Sequence, residues 1–247
     1  MSFDVKDKIA LVTGANRGIG KAIVESFIQH GAKKVYLAVR NLDSASELVS
    51  AHGDKVVPVH VDISKADTIT ELATKATDVN IVVNNAGILE TAEPLADHSE
   101  SALQREFDIN VFGLIRMAKA FAPILENNGP SAFVQLNSIA SIKNFFPFTT
   151  YSTSKAAAYT ITQGLKDSFS PKGIQVLSVH PGPIDTDMAV QAGMEGMGSP
   201  VSEVSEGIVS SLKAGDFHLF PDQMAKQFGD AYQSYAENII EADLSEG

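Results

Sequence analysis

The chain contains no cysteine. Disulfides, thiolate metal sites and cysteine nucleophiles are therefore excluded. It has no uninterrupted apolar run of the roughly 18 residues that a membrane-spanning helix requires. Basic residues are scarce: 19 Lys and Arg stand against 30 Asp and Glu, a formal net charge of −11. Nucleic acid is not expected as a partner, because phosphate backbones need a basic surface. A phosphate-bearing ligand must find a local positive spot. The six histidines are scattered without His-x-x-x-His spacing, so no metal site is expected. The opening residues have no apolar core of a signal peptide and are too acidic for a transit peptide, which gives a cytoplasmic expectation. Proline- or glycine-rich linkers and fixed-period repeats are also missing.

What is present is an ordinary globular composition: 247 residues, 44% hydrophobic and 20% charged. Short apolar runs alternate with helical patterns throughout. Strands are expected at residues 8–13, 34–39, 56–61, 79–83, 132–136, 174–179 and 217–220. Such alternation predicts one doubly wound α/β domain over residues 1–247, with a parallel sheet of about seven strands. Ligands of such sheets lie at the carboxyl ends of the strands.

The first strand runs into Gly14-Ala15-Asn16-Arg17-Gly18-Ile19-Gly20 and then a helix that Gly31 stops. Glycines let a turn approach a ligand closely, and a helix N-terminus suits a pyrophosphate. The spacing is Gly-x-x-x-Gly-x-Gly, and its place between strand and helix points to a dinucleotide. An acidic residue at the end of the second strand would hold the ribose 2′-OH of NAD. Val39, Arg40 and Asn41 stand there instead. No carboxylate repels a 2′-phosphate, Arg40 can pair with one, and Arg17 offers a second side to the cradle, so NADP is favoured over NAD.

Asp62 follows the third strand, where it can receive an adenine amino group or cap the next helix. Asn84-Asn85-Ala86-Gly87 follows the fourth, where Asn side chains can tie strand ends and Gly87 permits close approach. Residues 99–126 read as one long helix carrying Asn110 mid-way, an amide that helix propensity alone does not favour. An aromatic loop, 145–148, precedes a helix at 150–170. Pro181-Gly182-Pro183-Ile184-Asp185-Thr186 follows the sixth strand. Residues 187–200, rich in Gly and Met, read as a mobile flap with adaptable apolar contacts. A polar helical extension is expected at 221–240 and an acidic tail at 241–247.

Tyr151 and Lys155, four residues apart, share one helix face. A phenol ordinarily keeps its proton to about pH 10. A fixed ammonium nearby favours the phenolate, and such a pair can act as a general acid or base.

Taken in order, these motifs resemble the short-chain dehydrogenase/reductase family in its single-domain Rossmann form, over residues 8–186. The resemblance rests on Thr13 to Gly20, Asn84 to Gly87, Ser138 thirteen residues ahead of Tyr151-x-x-x-Lys155, and Pro181-Gly182 with Thr186. It implies that Tyr151 exchanges a proton with the substrate oxygen. Lys155 would lower the tyrosine pKa and bind the nicotinamide ribose. Ser138 would hydrogen-bond the substrate oxygen, and Asn110 would hold a water in a proton relay to the lysine. The implied NADP(H) site comprises Gly14, Asn16, Arg17, Gly18, Ile19 and Gly20, then Arg40, Asn41, Asp62 and Ile63. It continues through Asn85, Ala86, Gly87, Tyr151 and Lys155 to Pro181, Gly182, Ile184 and Thr186.

The expected activity is NADPH-dependent reduction of a ketone or aldehyde, reversible as an alcohol dehydrogenase. A hydrophobic or aryl substrate would sit among the aromatic loop, Leu89 and the methionines. The alternatives are a 3-oxoacyl-thioester reductase, disfavoured by the acidic stretch 90–100, and a non-catalytic NADP sensor, disfavoured by the intact Ser, Tyr, Lys and Asn set. Many members end in a Val-Asp-Gly-Gly-like segment that helps build tetramers. Here Phe220 leads into a polar helix, so a homodimer through the helices at 99–126 and 150–170 is expected, with tetramer and monomer as alternatives.

Overall fold

A computed structural model describes residues 2–241. The acidic tail from residue 242 onward lies outside the described residues. In chain order the elements are β1 (Ile9–Thr13), α1 (Gly18–Gln29), β2 (Lys34–Val39), α2 (Ser46–His52), β3 (Val56–His60), α3 (Ala66–Lys75) and β4 (Ile81–Asn84). There follow α4 (Ser99–Glu106), α5 (Gly113–Asn127), β5 (Ser131–Leu136), α6 (Thr149–Phe169) and β6 (Ile174–Val179). The chain closes with α7 (Asp187–Gln191), α8 (Val201–Ala214), β7 (His218–Leu219) and α9 (Gln223–Tyr235).

The seven strands form one parallel sheet in the order β3-β2-β1-β4-β5-β6-β7. Apolar runs rather than alternating patterns encode it because both faces are covered. Ala10, Leu11 and Val12 of β1 are all fully buried. Val12 faces a core shared with Phe27 of α1, Leu48 of α2 and Ile208 of α8. Leu11 faces the other core, with Leu72 of α3, Phe121 of α5 and Tyr159 of α6. Strand order reverses between β1 and β4, and the crevice that opens there receives the loops after the strands.

Several boundaries differ from expectation. The helix expected over 99–126 is interrupted by a π-turn, Phe107–Phe112. A π-turn adds one residue to the helical circuit and marks a place where side-chain demands override regular hydrogen bonding. Asp62 does not cap α3: its Oδ1 accepts from the Ser64 N–H at 3.1 Å and the Ser64 hydroxyl at 2.7 Å, and Lys65 occupies the cap position. The segment 187–200 contains α7 and returns to the main body through a bridge between Ile184 and Ser199. The C-terminal extension is α9 followed by a π-turn, Ala236–Ile240. No helix among the described residues is long and apolar enough to cross a membrane.

Candidate active site

The glycine turn is shaped by contacts that exclude side chains. Gly14 and Gly18 have φ of 64° and 52°, in the left-handed region that glycine tolerates. A Cβ on Gly20 would overlap the Gly14 carbonyl oxygen. Thr13 fixes the same corner from below. Its fully buried hydroxyl accepts from the N–H groups of Asn85 (3.0 Å) and Ala86 (2.9 Å), and Asn85 Nδ2 donates to the Thr13 carbonyl at 2.8 Å. The ends of β1 and β4 are thus stapled together. No acidic residue occupies the first turn of α1, so its N–H groups and partial positive charge face the crevice without a competing carboxylate of the helix itself.

A cavity of about 890 Å³ runs along the carboxyl edge of the sheet. Gly14, Asn16, Arg17, Gly18, Ile19 and Gly20 line it after β1, and Arg40 and Asn41 after β2. Asp62 and Ile63 line it after β3, Asn85, Ala86 and Gly87 after β4, and Pro181, Gly182, Ile184 and Thr186 after β6. Ser138, Tyr151 and Lys155 share the same wall, as do Leu89, Phe145, Phe148, Met188, Met194 and Met197. Phe146 of the aromatic loop points away and is 58% exposed. Arg40 is exposed at the rim. Burial raises the Asp62 carboxyl, but the Ser64 hydrogen bonds and the Lys65 and Arg40 charges outweigh it and hold the group below the usual carboxylate range.

Asn110 does not reach the cavity surface. It stands behind Gly87, where a Cβ on that glycine would lie 3.0 Å from Asn110 Oδ1. Its Oδ1 accepts from the Ile88 N–H at 3.0 Å, and its Nδ2 donates to the Ile88 carbonyl (3.0 Å) and to Ser154 Oγ (2.9 Å). The π-turn places this amide between the loop after β4 and helix α6.

Ser138 sits at the head of a short 3₁₀ turn, accepting from the Ala140 N–H at 3.1 Å and donating to the Pro181 carbonyl at 3.3 Å. Its hydroxyl also meets the Tyr151 phenol. Lys155 Nζ donates to the Leu136 carbonyl at 2.8 Å and lies 5.7 Å from the Tyr151 ring centre. Burial brings the Lys155 ammonium down to about 8, against the opposing charge of Glu106. The depressed tyrosine pKa expected from the lysine is not what the site shows. Burial drives the Tyr151 phenol above its ordinary range, and the Ser138 hydrogen bond only partly offsets it.

Four residues that matter here escaped the sequence reading as site residues. Thr13 is the staple just described. Asp187 takes the Arg17 guanidinium in an ion pair at 2.9 Å, joining the glycine turn to α7. Asp222 caps α9 and also accepts from the Gly182 N–H. Glu106 is a fully buried carboxyl behind the tyrosine and lysine. Only Thr13 carried a local signal, its place immediately before the glycine turn. Apart from the Ala225 N–H that Asp222 caps, the partners of the other three are 16 to 170 residues away.

Comparison with known proteins shows the family. The family model for short chain dehydrogenases matches residues 8–195. An uncharacterised oxidoreductase of Staphylococcus aureus (strain MRSA252) is 35% identical over 185 residues, 73% of this chain and 79% of that protein. Another, from Staphylococcus saprophyticus, is 30% identical over 194 residues, covering 75% and 82%. A crystal structure of a short chain dehydrogenase from Burkholderia cenocepacia in complex with NADP superposes with a TM-score of 0.87 at 30% identity, covering 97% of this chain and 100% of that one. A family member from Burkholderia phymatum in complex with NAD has a TM-score of 0.84 at 20% identity and shares the fold. The chain belongs to the short chain dehydrogenase family and is an oxidoreductase of that family.

Proposed function

We propose that the protein is an NADPH-dependent carbonyl reductase, reversible as an alcohol dehydrogenase, acting on hydrophobic or aryl ketones and aldehydes. One observation carries this reading: Ser138, Tyr151 and Lys155 open onto the same cavity as the glycine turn. The cradle fits a dinucleotide, since Gly20 has no room for a side chain against Gly14 and the start of α1 faces the cavity. Arg17 and Arg40 at the rim favour a 2′-phosphate. When bound there, the reduced nicotinamide supplies a hydride.

The chain's own residues do the rest. Ser138 and Tyr151 offer two hydroxyls to an oxygen on which negative charge develops. Tyr151 keeps its proton through the neutral range because of burial, and so is in the acid form that reduction needs. Lys155, anchored on Leu136, presents its ammonium beneath the ring. Asn110 holds Ile88 and Ser154, and with them the loop and the helix that flank the pair. Leu89, Phe145, Phe148 and the methionines of 187–200 form an apolar wall that excludes water from the substrate side. We read the segment 187–200 as a flap that closes over the substrate. A cytoplasmic homodimer through α4 and α5 (residues 99–126) and α6 accompanies the proposal.

The test is NADPH oxidation with aryl ketones by the wild type and Tyr151→Phe. A loss in kcat of about 10²-fold or more is expected. Near wild-type turnover by the variant rules out Tyr151 as the acid.

A further inference from the structure

His180 stands directly between the end of β6 and Pro181 and is fully buried. Its ring stacks on Phe220, with centroids 5.0 Å apart, and meets Tyr159 edge-on at 4.7 Å. Both ring nitrogens face polar groups. Nε2 lies 2.7 Å from Ser178 Oγ. Nδ1 lies 2.9 Å from Ser141 Oγ and 3.3 Å from the Ser138 carbonyl oxygen.

The neighbours fix the direction of every bond in this chain. The Thr162 hydroxyl donates to the Ala158 carbonyl at 2.7 Å, so its oxygen can only accept from Asn137. Asn137 therefore turns its Nδ2 inward, and the same group donates to Ser178 Oγ at 2.9 Å. The Ser178 hydrogen then goes to His180 Nε2. That leaves the ring hydrogen on Nδ1, which donates toward Ser141 Oγ and the Ser138 carbonyl. The Ser141 hydroxyl in turn donates to the same carbonyl. A neutral imidazole has one acceptor and one donor on a rigid ring, and both are used here. Burial, aided by His218 nearby, keeps the ring neutral by bringing its pKa down to about 3.

The chain ends on the residue whose hydroxyl faces the cavity. In the free protein that hydroxyl donates to the Pro181 carbonyl at 3.3 Å, an oxygen already taken by the Ile139 N–H at 3.0 Å. To serve a substrate oxygen, Ser138 Oγ must give up this bond. Its turn then needs another hold, and the Ser138 carbonyl provides one. We propose that His180 is a positioning residue of the active site: its Nδ1–H, directly and through Ser141, grips the Ser138 carbonyl and keeps the turn in place while the Ser138 hydroxyl moves from Pro181 to the substrate. The kinetic side of this inference rests on the reductase reading; the hold on the turn does not.

Two variants divide the ring between them. His180→Asn puts an amide nitrogen where Nδ1 stands and loses the Ser178 bond. His180→Gln can reach Ser178 but has no donor in the place of Nδ1. The readout is hydrogen exchange at the Ala140 amide, which donates to Ser138 Oγ, followed by NMR in the full-length protein relative to the amides of β5. Exchange should be about tenfold faster in His180→Gln and close to the wild-type rate in His180→Asn. Equal acceleration in both variants, or none in His180→Gln, overturns the proposal. If His180→Gln does not fold, Ser141→Ala takes its place, with the same acceleration expected and its absence equally fatal. With an aryl ketone and NADPH, His180→Gln should lose about tenfold in kcat, His180→Asn should recover most of it, and NADPH affinity should hold in both. Faster exchange with an unchanged kcat would also overturn the role. If the wild type reduces no carbonyl, the reductase reading falls, and the exchange comparison alone decides whether His180 holds the turn.

Discussion

The Asp222 carboxylate accepts a hydrogen bond from the Gly182 N–H at 2.7 Å, across 40 residues of sequence. Its other oxygen accepts from the Ala225 N–H at 2.9 Å and so caps α9. The group is 1% exposed. One side chain therefore fastens the C-terminal helix to the turn after β6 that lines the cavity, and Met224, two residues on, joins the cavity wall.

Replacing Asp222 by alanine leaves two backbone N–H groups without their acceptor. Hydrogen bonds to a charged group contribute about 1.5–3 kcal/mol each, so a loss of about 3 kcal/mol in stability is expected. The turn after β6 should loosen with it and weaken cofactor binding. Thermal unfolding and NADPH titration of Asp222→Ala check both; an unchanged Tm would show that the cap is dispensable. Asp222→Asn, which keeps one acceptor oxygen, should recover part of the loss.

Lys155 makes the pH dependence specific. Its ammonium is lost in the folded protein near pH 8, whereas in the unfolded chain it persists to its ordinary value of 10.5. Carbonyl reduction should therefore decline above about pH 8 in a pH–rate profile. Lys155→Met should remove that limb and lower kcat/KM more than about tenfold. For stability the sign runs the other way. Between pH 8 and 10.5 the unfolded state binds the extra proton, so the contribution of this group to stability grows as pH rises through that window. A denaturant series across the window reads this out as the difference between wild type and Lys155→Met.

The Arg17–Asp187 pair is open to water, with side chains 60% and 66% exposed. Exposed pairs of this kind contribute about 0–1 kcal/mol, so Asp187→Asn should leave Tm nearly unchanged. Its effect should fall on the cofactor. On the proposed NADP reading, a 2′-phosphate would compete with Asp187 for one guanidinium. Freeing Arg17 should tighten NADPH binding about threefold, and Arg17→Ala should weaken it about tenfold, with NADH affected little in either case. Fluorescence titrations at low and high salt would test this, since screening reduces both changes. If NAD(H) supports the higher kcat/KM in the wild type, the arginine argument for NADP fails.

The sheet and the cofactor-side loops were legible in the sequence because each is encoded locally. A buried strand is a short apolar run, and a close-approach turn needs its glycines where they stand, as at Gly14 and Gly20. Tyr151 and Lys155 were legible for the same reason, being one helical turn apart. The π-turn around Asn110 was not, since no propensity within residues 107–112 demands it. The residue there serves Ile88 and Ser154, 22 and 44 positions away. Glu106 and Asp222 read as ordinary helix carboxylates until folding buries them. At Tyr151 spacing reveals the neighbouring charge but not the burial, and burial is the larger effect on the phenol.

The staple between Thr13 and Asn85 also joins distant parts of the chain. Its two ends are 72 residues apart, and β2 and β3 lie between them. During synthesis the glycine turn leaves the ribosome first but has no opposite wall until β4 follows. Both walls of the crevice at the glycine turn therefore precede α6, with its tyrosine and lysine, in the chain. Gly182 is fastened by a residue later still in the chain, Asp222. The glycine-turn end of the cavity is thus built from the early part of the chain, and the end that holds Tyr151 and Lys155 from the later part.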